Sequence, residues 1–428
     1  MATNIHPIHS PSHHTKRFVR ALESLFKVDV LYIFKNGSWV TFGQILVSIA
    51  SFVMAIVFAR ILPKETYGTY RFVISAVGIL SITSLFGMAH AVTRAAALNA
   101  DQTLQRGTWM RVRWSMLGSI LSISYAGYQW IQQEPTLALT FLLVAAVLPL
   151  IEPLQTAWAF LSGKKAFGSF AIVRSSTLIT SILLAVLTSF FTHNIFILVS
   201  AYYLPNAFLR LMWFYWVKRR YVQNKVDQPE TYALGKHFSA MTILTGASEH
   251  IDKIILFGLL GPVEVAAYSL AMIPIQQSFV YIGGITGIAM PKFTQRSFEE
   301  IREHLPGKLL RMILVLVPLT IALILIIPTF FQTLFPNYPE SILYAQIAAI
   351  ALLFQGSQLI PMAFMAHGKI KDLYLIRAVQ PAVQLTLFAV LIPIYGILGA
   401  VIAFVLGHGI GMIIQSWLLI RSGTKKTL

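Results

Sequence analysis

The sequence contains no cysteine, and it has only 16 acidic residues against 33 lysines and arginines. Without cysteine there is no disulfide framework, thiol nucleophile or cysteine-based metal centre. Charge of either sign is scarce: 11% of the 428 residues are charged and 56% are hydrophobic, whereas a water-soluble domain is about a quarter charged. Mean hydropathy is +0.70, and together these values exclude a water-soluble protein. The net charge of +17 does not point to nucleic acid. Its basic residues lie in short clusters between apolar runs, with no basic domain to track a phosphate backbone.

Apolar runs of about 20 residues, each long enough to cross the hydrocarbon core, fill the chain instead. They lie near 37–62, 67–91, 112–131, 136–161, 169–191, 194–217, 237–260, 264–290, 308–335, 339–366, 372–393 and 396–420. The prediction is an all-α polytopic membrane protein with 12 transmembrane helices. The first run starts too late and runs too long for a cleavable signal peptide, so it reads as a retained span.

Basic residues give the orientation. All but seven of the 33 fall in the tails and loops on one side; the exceptions are Arg60, Lys64, Arg71, Arg174, Arg210, Lys253 and Arg377, and among these only Lys64 lies in a loop of the other side. The positive-inside rule then places both termini in the cytoplasm. The opposite loops are as short as PKET and QQEP, leaving no extracytoplasmic domain. In the tail, 1–36, Phe18, Leu22, Leu25, Phe26 and Ile33 share one helical face opposite Arg20, Glu23 and Lys27, which predicts an interfacial amphipathic helix. His6, His9, His13 and His14 have no accompanying carboxylate and read as a polar tail rather than a metal site.

The chain matches itself at an offset of 198 residues. ILPKETYGTY at 61–70 lies over LLGPVEVAAY at 259–268, and AVTR at 91–94 over AMPK at 289–292. A shifted register lays Gly163 and Lys164 over Gly368 and Lys369. These matches predict two six-helix lobes in a 6+6 pseudo-two-fold repeat, 37–217 and 237–421, joined by a cytoplasmic linker, 218–236, with a short tail at 422–428. Parallel repeats about an axis along the membrane normal are a transporter plan.

Segment 58–80, FARILPKETYGTYRFVISAVGIL, resembles the first turn of bacterial lipid-linked oligosaccharide (O-antigen) flippases of the multidrug/oligosaccharidyl-lipid/polysaccharide exporter superfamily. Segment 250–277, HIDKIILFGLLGPVEVAAYSLAMIPIQQ, resembles the matching turn of their second half, and AVTRAA at 91–96 and DVLYIFKNGSW at 29–39 fit polysaccharide biosynthesis members. The resemblance implies a flippase of the bacterial inner membrane. Its cargo would be a polyprenyl pyrophosphate-linked oligosaccharide, moved to the outer leaflet by alternating access for surface polysaccharide biosynthesis. Membrane lipids, and other polysaccharide assembly proteins, are the partners it implies. Cation-coupled multidrug exporters of the superfamily often have an acid in the first helix, which 37–62 lacks.

Ionisable groups at membrane depth are costly unless paired or wetted. If the seventh span enters at His237, Glu249 lies about 18 Å in and Lys253 about 24 Å in. Two readings stand. In one, Lys253 contacts a pyrophosphate or acidic sugar while Glu249 or Asp252 carries a coupling proton or sodium. In the other, Glu249 and Lys253 form an i,i+4 pair that neutralises itself. By analogy with the family's cleft between helices 1, 2, 7 and 8, Arg60, Arg71 and Lys253 are the candidate cationic surface for an anionic head group. Arg174, Arg210 and Arg377, near cytoplasmic ends, read as snorkelling. Glu152, between Pro149 and Pro153, fits a structural hydrogen bond or a proton site. His408 among Gly407, Gly409 and Gly411 reads as close helix packing.

An enzyme acting on the same lipid carriers, such as a glycosyltransferase or polymerase, needs acids, bases or metal ligands on a substantial loop. The outer loops offer no carboxylate pair, and the inner loops lack a GxxxxGK[ST] phosphate cradle. A major-facilitator carrier needs a basic, glycine-containing loop after the second span, which ALNADQTLQRGTW at 97–109 does not match. The sequence therefore reads as a non-enzymatic transporter without catalytic residues or an organic cofactor.

Overall fold

A computed structural model describes residues 30–287 and 293–422, and every regular element among them is a helix. The first half contains α1 (Val30–Ile61), α2 (Lys64–Ser81), a 3-10 turn (Ile82–Ser84), α3 (Met88–Ala97), α4 (Thr103–Ile131), α5 (Pro135–Leu154), α6 (Thr156–Gly163), α7 (Phe167–Ser189) and α8 (Ile195–Tyr221). The second contains α9 (Glu230–Ser248), α10 (Ile251–Leu260), α11 (Pro262–Ala271), α12 (Ile273–Gly287), α13 (Phe298–Leu334) and α14 (Ser341–Ala349). A 3-10 stretch (Ile350–Gln358), α15 (Leu359–Ala366) and α16 (Ile370–Arg421) complete it. Residues 1–29, which hold His6, His9, His13 and His14 and most of the predicted interfacial helix, lie outside the described residues.

Local chemistry starts and stops these helices. Pro135 opens α5, and Pro262 opens α11 behind Gly261, whose φ of 99° is one that glycine adopts without a Cβ clash. Asn194 caps α8 by accepting the Phe196 N–H at 2.9 Å. By length and hydropathy seven described helices can cross a membrane, or eight when residues 64–84 and 88–97, bent by 55°, count as one span. The twelve apolar runs differ from this count for physical reasons. Two merge into α16 across Gly396 (φ 59°). α4 is diluted by serine, tyrosine and glutamine, and α9–α10 and α11–α12 are each interrupted. The most apolar 18-residue stretch of α13 is only 17% buried, so its remaining surface is apolar and outward, as lipid requires.

Helices from the two halves meet along one seam. α2 and α11 start at Lys64 and Pro262, the same point of the 198-residue repeat, and pack on each other. A Cβ on Gly68 would sit 1.7 Å from the Pro262 carbonyl oxygen, so the backbones touch where only glycine fits. Phe72 stacks on Phe257 with centroids 3.8 Å apart. Farther along, the His250 ring occupies the space a side chain would need at Gly78, and the Gly87 N–H donates to Ser239 Oγ at 3.1 Å. At the short-turn end, Lys64 pairs with Glu340 at 2.7 Å.

The chain between the halves, irregular over 222–228, is fastened to the first half at the other, basic end. Asp101, fully buried, accepts the Gln223 N–H at 2.8 Å and pairs with Lys164 at 2.6 Å. The Gln102 N–H donates to the Val226 carbonyl at 3.0 Å, and Arg106 pairs with Asp227.

Two arginines differ from their expected places. Arg111, counted among the loop charges, is 1% exposed inside α4, and Arg210, expected to snorkel, is 7% exposed. Arg111 donates to the Ser84 carbonyl at 2.9 Å and lies 3.7 Å from Glu152, while Arg210 donates to the Ile151 carbonyl and covers the Trp158 ring at 4.6 Å. Arg210 turns onto the Ile151 carbonyl beside the break between α5 and α6 at Pro153, and Arg111 onto the 3-10 turn at Ser84 with the Glu152 carboxylate close by. Glu152 accepts from Gln155, three residues on in the same chain segment, at 3.1 Å.

Forcing a Cβ into the seam should cost about 1–3 kcal/mol, the usual range for overpacking. Gly68→Ala should lower the unfolding temperature in detergent. Gly127→Ala, on α4 with nothing within 4 Å, should leave it unchanged or slightly raised.

Candidate functional site

The seventh span breaks between α9 and α10, and Glu249 and His250 form the break. The i,i+4 spacing of Glu249 and Lys253 is thereby lost, and Lys253 pairs with its neighbour instead. Its Nζ lies 2.9 and 3.0 Å from the two carboxylate oxygens of Asp252. Asp252 also accepts from the Lys253 N–H at 2.8 Å and from the Tyr268 hydroxyl at 2.8 Å. The pair is almost closed off, with Asp252 5% and Lys253 4% exposed. One repeat earlier, Met54 and Ala55 stand in their places, and the buried Tyr70 hydroxyl, the counterpart of Tyr268, has no hydrogen-bond partner. The Asp252–Lys253 pair thus has no counterpart at the matching positions of the first half.

Glu249, exposed, and His250 line a cavity of about 840 Å³. It lies within the second half, between α9–α10, α12, α15 and α16. Between the helices of the expected cleft, α2 packs on α10 and α11. Five amides, Gln276, Gln358, Gln380, Gln384 and Gln415, face the cavity together with Arg377. Phe279, Phe404 and His408 form an aromatic wall, with centroids 4.4 to 6.0 Å apart. Gly407 and Gly411 make room for Gln384 and Gln380, as close packing requires. Gln384 donates to the Ala403 carbonyl at 3.0 Å, and Gln415 to Gln380 at 2.7 Å. Among the described residues no group of three or more His, Asp or Glu could hold a metal ion.

The three candidate cations do not form one surface. Arg60 caps α13, donating to the Thr333 and Leu334 carbonyls, which the helix dipole makes good acceptors. Lys253 is buried against Asp252 and Tyr268, and Arg71 lies on α2 immediately before Phe72, whose contact with Phe257 brings that helix against α10. Arg377, expected to snorkel, lines the cavity. The sequence reading passed over the glutamines and Arg377. Gln380 and Gln384, one turn apart in an apolar run, were the available signal.

A second, apolar cleft of about 290 Å³ lies on the seam between α1, α12 and α13, walled by Ile49, Phe52, Ile273, Leu323, Ile327 and Phe330.

Removing one member of the buried pair should leave an unpaired charge and cost about 3–5 kcal/mol. Asp252→Ala should sharply lower the unfolding temperature in detergent. Asp252→Ala combined with Lys253→Met should recover most of the loss.

Comparison with known proteins follows the same lines. A Shigella flexneri protein named as a candidate O-antigen transporter is 25% identical over 418 residues, covering 91% of this chain and 98% of that one. The fold is similar to that of the lipid II flippase MurJ in an inward closed conformation, with a TM-score of 0.65, 11% identity, and coverage of 90% of this chain and 87% of that one. It is also similar to an outward-facing multidrug resistance MATE transporter of the MOP superfamily, with a TM-score of 0.60, 13% identity and coverage of 91% and 96%. The model of the family described as "Polysaccharide biosynthesis protein" matches residues 33–297, and the chain belongs to that family.

Proposed function

We propose that this protein is a non-enzymatic flippase of the bacterial inner membrane. It carries a polyprenyl pyrophosphate-linked oligosaccharide from the inner to the outer leaflet by alternating access of the lobes 37–217 and 237–421. Both termini and the basic end face the cytoplasm, where the substrate is loaded.

The observation that carries this reading is the amide- and aromatic-lined cavity. Glutamines supply both donors and acceptors to sugar hydroxyls, and the Phe279–Phe404–His408 wall supplies flat faces for sugar rings. Arg377, which lines the same cavity, supplies a cation for a pyrophosphate. The apolar cleft beside α1 is suited to the isoprenoid chain.

Lys253 is held in reserve by Asp252. A proton or sodium ion on Asp252 would weaken that hold and release the ammonium toward an anionic head group, coupling cation binding to substrate binding. Glu249, exposed in the cavity, is the second candidate for the coupling ion.

The likeness to multidrug transporters favours one rival, cation-coupled export of drugs. Against it, the acidic first-helix site of those exporters has no counterpart in α1. Native mass spectrometry and flipping assays in proteoliposomes separate the two. A co-purifying glycosylated polyprenyl pyrophosphate is expected, with transport reduced at least tenfold in Arg377→Gln and Glu249→Gln while membrane insertion stays intact. Extrusion of lipophilic cations without binding of any glycolipid would support the rival.

A further inference from the structure

At the basic end a second polar pocket, of about 600 Å³, opens between α4 of the first half and α9 of the second. Its first wall is one face of α4, where Arg106, Trp109, Arg113 and Trp114 recur at helical spacing. The second wall is Tyr232 and Lys236, one turn apart on α9. The charge here is only partly offset. Arg106 is paired with Asp227, whereas Arg113 and Lys236, both exposed, pair with none of the described carboxylates. Asp227 also accepts a hydrogen bond from the Tyr232 hydroxyl; partial burial and this contact push the phenol well above its ordinary range, so it stays a donor.

The pocket continues onto hydrocarbon-facing surface. Trp109 is 65% exposed, a position suited to the headgroup level of a membrane. Beyond Arg113, one and two turns farther into the apolar part of α4, Leu117, Ile120 and Leu121 are each about half exposed. A cationic recess thus sits at the head of an apolar strip, and this order of charge and hydrocarbon matches a phospholipid.

We infer that this recess binds one anionic phospholipid of the surrounding bilayer. Its phosphate lies between Arg113 and Lys236, and its acyl chains lie along Leu117, Ile120 and Leu121. Basic pockets between membrane helices hold anionic headgroups in this way. Because Arg113 belongs to the first half and Lys236 to the second, the lipid ties α4 to α9 beside the fastened linker. The inference stands on the membrane-spanning fold and does not depend on the identity of the transported substrate.

The test is native mass spectrometry of the purified full chain titrated with phosphatidylglycerol or phosphatidylcholine, with the unfolding temperature measured in parallel. The wild type should retain phosphatidylglycerol at least tenfold more strongly than phosphatidylcholine and unfold several degrees higher with it. Arg113→Gln combined with Lys236→Gln, both at exposed positions, should lose that preference and that shift while keeping the unfolding temperature of the lipid-free wild type. Arg219→Gln combined with Arg220→Gln, exposed cations elsewhere on the basic end, should keep both. Equal retention of the two lipids by the wild type would overturn the inference. So would an unchanged preference in the first double variant, or an equal loss in the second. Displacement of phosphatidylglycerol by polyprenyl pyrophosphate at equal concentration would also overturn it, by making the recess a substrate site.

Discussion

A charge inside a helix bundle surrounded by hydrocarbon persists only with a partner, and the bends of this protein lie where that demand is met. The break at Glu249 and His250 sets Lys253 against Asp252 and Tyr268. The break after Pro153 leaves the Ile151 carbonyl to Arg210, and the 3-10 turn at Ser84, with Glu152 close by, receives Arg111. In each case the lost helical hydrogen bonds are compensated by charge-assisted ones, which are stronger in a low-dielectric interior.

The seam depends on the same economy of space. Gly68 lets α2 reach the backbone of Pro262, and Gly78 seats the His250 ring. Together they set the first half against the broken seventh span. The polar cavity that Glu249 and His250 line lies within the second half, whereas the apolar cleft lies between α1 and α12–α13. The repeat supplies the frame twice, but the chemistry once: Met54 and Ala55 stand where Asp252 and Lys253 stand one repeat later.

Much of the fold was legible in the sequence, because hydrocarbon demands apolar runs of about 20 residues and these can be counted. The repeat offset was legible too, and it brings the first residues of α2 and α11 to the same register. What could not be read was any partner set by a bend or by distance in the chain. The i,i+4 reading of Glu249 and Lys253 assumed a continuous helix. Arg60 finds its acceptors 273 and 274 residues away, at the end of α13, and no local pattern announces a helix end as a ligand. Arg111 looked like a loop charge because it follows Arg106 and precedes Arg113, yet α4 turns it inward while Arg106 and Arg113 face out. The glutamines carried a readable signal, polar amides one turn apart in apolar runs, and their meaning became clear only when α9, α12, α15 and α16 converged on one cavity.

Under the proposed alternating access, the two halves would pivot about the Gly68 seam, one end closing as the other opens. A chain without native cysteine allows this to be measured directly, by double electron–electron resonance between spin labels on introduced cysteines. One pair, at Glu65 and Pro339, reports the short-turn end; the other, at Arg219 and Lys371, reports the basic end, and all four positions are exposed. On adding a polyprenyl pyrophosphate glycan, the first distance should lengthen while the second shortens. Transport proceeding with both distances fixed would contradict the account.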